Sequence, residues 1–336
     1  MKLITVQEGL SKKIKRQQEL AEYSEKAQFH CGGNCFHIGE VSAGCRECFS
    51  SKENFFNWQL QLGEDVGLPN VCQFDCAHCF PFNPKKISNQ YTVPSNWKIK
   101  PRWKEKIKNW YHSKKKIDFL LYNFTGSESE PLFYLPCIEQ FMDFFVNEIE
   151  TIDNRRGYSK IYTNGVLLNN KNIKRLKDAR IDELRVNVSA SGFSKEVYKN
   201  IANAAKHIPV MAIEVTLWPY YQKGLFEMLP IINDLGVKHL DLCVVECWNN
   251  KHLEKMSKIL PDKTEYFQTG SMMCIDDGGL CEALMKEVID KEYGYSVIDC
   301  NAFVKMVYNG IAFDSNEMTF DKEAFYKPPY LSPNSK

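Results

Sequence analysis

The chain has 336 residues, 44% of them hydrophobic and 25% charged, with 43 Lys and Arg against 42 Asp and Glu. That length holds one large α/β domain with additions, or two modest domains, and the near-cancellation of charge excludes a global electrostatic pull towards nucleic acid or membrane. No stretch approaches the ~18 apolar residues of a membrane span and the amino terminus has no apolar core with a cleavage site, so the expectation is a soluble, cytoplasmic protein.

Taken in chain order, residues 5–28 are polar, charged and free of proline, with Leu10, Ile14, Leu20 and Ala21 as a thin apolar stripe, which predicts an exposed or docking helix. Gly32, Gly33, Gly39 and Gly44 then break regular structure through a first group of cysteines. Beyond it, strand-like segments at 57–65, 117–124, 159–163, 183–189, 209–217 and 239–247 alternate with helix-like segments at 101–113, 132–150, 171–179, 194–205 and 225–235. Such alternation is the pattern of a parallel sheet with crossover helices. The fold class is therefore α/β, a partial (β/α)6 TIM-type barrel over 57–248. Residues 1–56 form an amino-terminal helix and Cys-rich metal-binding extension, and 249–336 a small α+β auxiliary element. Parallel βα barrels place chemistry on the loops at the C-terminal strand ends, and every motif below falls on such a loop.

Thirteen cysteines in a chain of this type argue for metal rather than a disulfide framework, since cytosolic thiols are kept reduced. Cys72, Cys76 and Cys79 form a CxxxCxxC triplet directly after an apolar stretch. Three thiolates hold three corners of a [4Fe–4S] cube and leave the fourth iron open, whereas clusters that only carry electrons normally use four. Zinc sites more often pair CxxC with a second CxxC or with histidines, and His78 inside the triplet is a possible zinc ligand in that alternative.

The triplet resembles that of the radical S-adenosylmethionine (SAM) superfamily. The resemblance implies that SAM occupies the open iron and is cleaved by one electron to a 5′-deoxyadenosyl radical that abstracts hydrogen from substrate. It also makes Phe74 and His78 cofactor neighbours within the triplet. The run from Asn123 to Leu132 resembles the family's Gly-Gly-Glu-Pro motif, with Gly126 and Ser127 allowing close backbone approach and either Glu128 or Glu130 facing the SAM amino group. Thr163-Asn164-Gly165 at the third strand end is common in the same superfamily, and Asn164 is counted with the SAM cradle. Ser189, in a run similar to Val-Ser-x-Asp-Gly, implies a contact to the SAM carboxylate or ribose, with Ser191 standing where the family has aspartate. Trp218 and Tyr220 are candidates to cover adenine or substrate, although core packing is the commoner role of such aromatics.

On the sixth strand, period-two alternation puts Asp241, Cys243, Val245 and Cys247 on one face, which makes Cys243 a candidate hydrogen donor to a substrate radical. Cys31, Cys35, Cys45 and Cys48 supply four thiolates within eighteen residues, enough to close either a zinc site or an auxiliary cluster. Cys281, Gly294 and Cys300 resemble, with one extra residue, the hairpin that opens SPASM and Twitch auxiliary-cluster domains, and Cys274 and Cys247 are candidates to complete a truncated site. The lysine-rich run from Lys98 to Lys116, with Trp97, Trp103 and Trp110 in or beside it, is read as the solvated face of a barrel helix rather than an RNA surface.

The implied function is a peptide-modifying radical SAM oxidoreductase, with a [4Fe–4S] cluster and SAM as cofactors and one or two auxiliary iron–sulfur or zinc centres. Its partners would be a ribosomally made peptide and an external electron donor such as flavodoxin or ferredoxin, with no membrane or nucleic acid. The alternatives are a radical SAM enzyme acting on a small metabolite or nucleoside, and a non-enzymatic zinc or iron–sulfur binding protein.

Overall fold

The structure is a computed structural model that describes residues 1–30, 35–39, 55–74, 76, 79, 85–86, 91–114, 116–126, 129–218, 221–247, 250–269, 272–299, 311–313 and 318–320. Contacts divide the chain into two compact units, one of residues 1–42, 76–82 and 212–330, the other of 43–75, 83–211 and 331–336. Strands and helices from both ends of the chain meet within the first unit.

The first unit opens with strand β1 (Lys2–Leu3), helix α1 (Val6–Tyr23) and strands β2 (Ala27–His30) and β3 (Cys35–Ile38). The second holds strands β4 (Phe55–Gln61), β5 (Val71–Cys72) and β6 (Lys85–Lys86), helix α2 (Pro101–Ser113), β7 (Phe119–Thr125) and α3 (Leu135–Phe144). It continues with β8 (Tyr158–Thr163), α4 (Asn170–Asp178), β9 (Glu183–Asn187) and α5 (Lys195–Ala204). The chain then runs through β10 (Val210–Leu217), α6 (Gln222–Asp234), β11 (His239–Val244), β12 (Glu246–Cys247) and α7 (Asn250–Ser257). Last come β13 (Glu265–Thr269), β14 (Met272–Ile275), α8 (Leu280–Asp290), β15 (Ser296–Asp299), β16 (Ile311–Phe313) and β17 (Met318–Phe320).

In the second unit β4, β7, β8 and β9 lie side by side and parallel in that order. Register pairs Phe56 with Leu120, Leu60 with Phe124 and Phe124 with Ile161, so one face is a continuous apolar surface. α2 packs on it through Trp110, whose ring centroid lies 4.6 Å from that of Phe56. The lysines of α2 face outward, and Lys104 and Lys108 each hold Glu148 at 2.7 Å, so the basic, tryptophan-rich run is an amphipathic crossover helix as expected. The opposite face of the sheet is polar yet buried: Asn123 pairs in register with Lys160, and Lys160 with Glu183. Burial would raise the Glu183 carboxyl, but the Arg185 guanidinium and the Lys160 ammonium outweigh it and hold it at about 2.

In the first unit β10, β11 and β15 are parallel, and β3 and then β2 add antiparallel to β15. The strand sets are open-ended rather than closed into a ring, and the class is mixed α/β. A second sheet runs β1, β13, β14, β12.

Two expectations need correction here. The expected strand 239–247 stops at Val244, and β12 leaves it to pair with β14 while the Val245 carbonyl accepts the Ile275 amide at 3.0 Å. The alternation that put Asp241, Cys243, Val245 and Cys247 on one face is therefore interrupted after Cys243, because two different ladders claim the two halves of the run.

The buried stripe of α1 is only in part the apolar one, with which it shares Leu20. Among the described side chains it comprises Gly9, Lys13, Gln17 and Leu20, spaced for one helical face, and two of the four are polar. Lys13 Nζ lies 2.7 Å from Asp299, 2.8 Å from Glu282 and 3.4 Å from Asp277, while Gln17 Nε2 donates to Asp299 at 3.1 Å. Arg16 reaches Asp276 at 2.9 Å and Glu282 at 3.2 Å. The helix docks through charge pairing, which hydrophobic periodicity does not register. Thr5 starts it with a capping box: Thr5 Oγ1 accepts the Glu8 amide at 3.1 Å and Glu8 accepts the Thr5 amide at 2.7 Å. Among the described residues no helix is long and apolar enough to cross a membrane.

Candidate functional site

The site is built from three strand-end segments of the second unit. The first is Pro69–Phe74, which carries β5 and ends at Cys72. The Val71 amide donates to the Tyr134 hydroxyl at 3.2 Å, Tyr134 donates in turn to the Pro69 carbonyl at 2.6 Å, and the Val71 carbonyl accepts the Glu130 amide at 2.9 Å. Ser129 Oγ bonds Asn70 Oδ1 at 3.0 Å. Four hydrogen bonds thus moor the approach to Cys72 against the turn after β7.

That turn is the second segment. The Ser129 amide closes it onto the Gly126 carbonyl at 3.2 Å. A Cβ on Gly126 would stand 2.0 Å from the Ser129 carbonyl oxygen and 2.8 Å from Pro131 Cδ, so only glycine allows this chain path. Ser127 and Glu128 lie outside the described residues. Glu130 is buried, and both carboxylate oxygens are occupied. Oε1 accepts the Thr163 hydroxyl at 2.6 Å and the Leu132 amide at 3.0 Å, and Oε2 accepts the Asn164 amide at 2.8 Å. Burial lifts this carboxyl to about 7, against the three donors, which pull it down. Three of the roughly four acceptor positions of this carboxylate are thus taken inside the protein, where it braces the ends of β7 and β8.

The third segment is Thr163–Gly165. Gly165 has φ +80°, the left-handed conformation its turn needs, and Asn164 Oδ1 accepts the Val166 amide at 3.1 Å. The Asn164 side-chain amide nitrogen points at the first segment, 2.9 Å from Gln73 Oε1 and 3.8 Å from Cys72 Sγ. The Phe74 backbone amide also donates to Cys72 Sγ, at 3.5 Å. Two N–H groups directed at one sulfur suit an anionic, metal-bound thiolate, the form in which cysteine ligates. Cys72 is half-buried and forms no disulfide.

Cys76 and Cys79 belong to the first unit, are half-buried without a disulfide, and lie on one turn in which the Cys79 amide donates to the Cys76 carbonyl at 3.0 Å. His78 is outside the described residues. Phe74 is half-buried beside Cys72. Ser189 is buried at the end of the β9 segment and donates to Asn187 Oδ1 at 2.6 Å. Cys243 is half-buried on β11, in register with Thr216 of β10. Trp218 is packed with Val245, Met256, Leu260 and Ile275, so it is a core residue, and Tyr220 is outside the described residues.

Of the flanking cysteines, Cys31, Cys45, Cys48 and Cys300 lie outside the described residues, as do the side chains of Cys35, Cys247 and Cys274. The backbone puts Cys247 opposite Met273 and Cys274 opposite Glu246 in the β12–β14 pair. Cys281 opens α8 and is fully buried, with Glu282 and Asp299 carboxylate oxygens within 4.8 Å of its thiol, in the cluster that Lys13 enters. Burial, reinforced by the Asp299 charge, raises its thiol well above the usual range. Gly294 donates to Asn233 Oδ1 at 2.9 Å in a turn before β15. Sequence reasoning missed Lys13, Gln17, Asp277, Glu282 and Asp299. The i, i+4, i+7 relation of Lys13 and Gln17 to Leu20 was a signal available for the first two.

No family model matches the chain, and no curated protein matches it. Among solved structures it is similar to native anSMEcpe with bound AdoMet and Cp18Cys peptide, at 12% identity over 72% of this chain and 63% of that chain, with TM-score 0.48. A polyhistidine-tagged form of anSMEcpe with bound AdoMet matches at 14% identity over 56% and 49%, TM-score 0.41. Streptococcus suis SuiB bound to precursor peptide SuiA matches at 13% identity over 94% and 67%, TM-score 0.45. The chain spans from 49% to 67% of the length of these three structures. Likeness at this level assigns no residue a role, so the functional reading rests on the chain's own side chains.

Proposed function

We propose that the chain is a radical SAM enzyme, with Cys72, Cys76 and Cys79 as ligands of a [4Fe–4S] cluster on a partial (β/α)6 barrel. The observation that carries this reading is the CxxxCxxC triplet whose first sulfur receives N–H groups from Phe74 and Asn164, between the two strand-end turns. When bound, the cluster and SAM together supply a one-electron cleavage that yields a 5′-deoxyadenosyl radical able to abstract hydrogen. The chain's own residues hold and orient. Gly126 lets the β7 turn fold back on Ser129 and Pro131 beside the SAM cradle, Ser127, Asn164 and Ser189 contribute polar atoms to that cradle, and Glu128 or Glu130 is the candidate carboxylate for the SAM ammonium. Glu130 also joins the two turns that flank the site.

The substrate we favour is a ribosomally made peptide, by analogy with the Cys281, Gly294 and Cys300 spacing, with flavodoxin or ferredoxin as electron donor. Cys31, Cys35, Cys45 and Cys48 would bind an auxiliary iron–sulfur or zinc centre, with Cys247, Cys274, Cys281 and Cys300 as candidates for a further one. Cys243 would return a hydrogen atom to the substrate radical, and the thiyl radical left on it would be restored to thiol by one electron from the external donor and a proton, so Cys243→Ala should leave SAM cleavage intact and stall substrate turnover.

Anaerobic reconstitution with iron and sulfide counting, followed by assay of 5′-deoxyadenosine from SAM under dithionite, tests the proposal. Replacing Cys72, Cys76 and Cys79 together by alanine should abolish that product. Cleavage that persists in the triple variant, or zinc without sulfide in the native protein, would reject it.

A further inference from the structure

Asn164 is held by three hydrogen bonds, the third of them made by its side-chain nitrogen. Its backbone amide donates to Glu130 Oε2 at 2.8 Å, its Oδ1 accepts the Val166 amide at 3.1 Å, and Nδ2 donates to Gln73 Oε1 at 2.9 Å. Because Oδ1 is claimed by a backbone donor, the amide has one orientation, with Nδ2 on the side of Cys72 Sγ, 3.8 Å away. The residue is only 6% exposed, so water competes little for this donor. Gln73 Oε1 shares Nδ2 with the sulfur and itself lies 4.0 Å from Cys72 Sγ.

We infer that Asn164 is a positioning residue that sets the electron affinity of the metal centre at Cys72, by an N–H···S contact whose strength Gln73 moderates. The inference rests on the cluster assignment proposed above. A hydrogen bond to a ligating sulfur stabilises the more negative, reduced state more than the oxidised one, so it raises the reduction potential, and outer groups of this kind tune metal sites without touching the metal. Gln73 acts in the opposite sense. Its oxygen draws the Nδ2 proton away and presents a partial negative charge to the sulfur. The two residues therefore predict shifts of opposite sign.

The test uses the full chain, reconstituted anaerobically, with a potentiometric titration of the cluster followed by EPR in the absence of SAM. Asn164→Asp keeps the oxygen that closes the turn but replaces the donor by a charged acceptor, which lowers the potential by itself, so Asn164→Ser, which keeps a turn-closing oxygen without that charge, is titrated beside it. Both should retain the iron and sulfide content of the native protein and move the midpoint to a more negative potential. Gln73→Leu, at a half-buried position that closes no turn, should move it to a more positive one. If the native protein assembles no iron–sulfur cluster, the proposed function fails and this inference with it. If clusters assemble and the neutral Asn164→Ser leaves the midpoint unchanged, the inference alone is overturned. Should Asn164→Ser fail to fold, the sign of the Gln73→Leu shift decides: positive supports the contact, zero or negative refutes it.

Discussion

Glu130 receives the Thr163 hydroxyl at 2.6 Å, and this bond joins two strand ends that are thirty-three residues apart in sequence. The same carboxylate receives the Asn164 amide, so the turn bearing Gly126 and the turn bearing Asn164 share one acceptor.

The shared carboxyl makes stability depend on pH. Burial raises it from 4.5 to about 7 in the folded chain, so the folded state holds a proton that the unfolded state has already released. Its contribution is most favourable below about pH 4.5, declines as pH rises, and has lost roughly 3 kcal/mol above pH 7. Glu130→Gln should flatten this part of the profile. Denaturant midpoints measured from pH 4 to pH 8 on both proteins check it, and parallel slopes would contradict the assignment.

Lys13 should be among the most costly positions on the first helix to neutralise. Its ammonium is buried against Asp299, Glu282 and Asp277. Burial works to raise Asp277, yet Lys13 and the Gly279 amide hold it below its ordinary range, whereas burial dominates at Glu282 and raises it. Lys13→Met removes the ammonium that Asp299 faces and leaves, among the described residues, only Arg16 beside Asp277 and Glu282, so it should destabilise by ~3–5 kcal/mol, read as a fall in chemical-denaturation midpoint. Lys15→Met, two residues along and on the solvent side of the helix, should change stability little.

Gly126→Ala should displace the β7 turn, because the new methyl would meet the Ser129 carbonyl at 2.0 Å. A cost of ~1–3 kcal/mol is expected from the overpacking. SAM affinity, measured by equilibrium binding to the reconstituted protein, should fall more than at Gly236→Ala, where φ is +67° and the added Cβ strains the backbone but meets nothing within 4 Å.

Thiol labelling should separate the described cysteines into two groups. Cys72, Cys76, Cys79 and Cys243 are partly exposed and should react with iodoacetamide in the metal-free native protein. Cys137 and Cys281 are buried, and burial pushes the Cys137 thiol up to about 12, so both should react only after unfolding. Mass spectrometry of the digested chain reads the pattern directly.

Much of the strand and helix order is legible because it is written in local periodicity. The helix at 101–113 and the strand at 159–163 fall within a residue of their expected bounds, since an amphipathic repeat or an alternating run needs no distant partner to be recognised. The run 132–150 is less simple than a helix: it begins as a 3-10 turn at Pro131–Tyr134, continues as α3 and ends in a π-helical stretch at Phe145–Ile149. Tyr122 stacks on Phe145 at 4.1 Å there, a tertiary contact that periodicity does not encode.

By itself the sequence determined the cysteine triplet, the glycine-bearing turns and the alternation that puts them at strand ends, because spacing and turn chemistry are properties of neighbours along the chain. Only the tertiary structure decided that Glu130 turns inward, that Asn164 faces Cys72, and that a helix near residue 13 docks by its lysine on Asp299. Those outcomes join residues 34, 92 and 286 positions apart, as the numbering of each pair gives. A carboxylate, an amide or an ammonium takes whichever partner burial leaves it, and burial is settled by the whole chain at once.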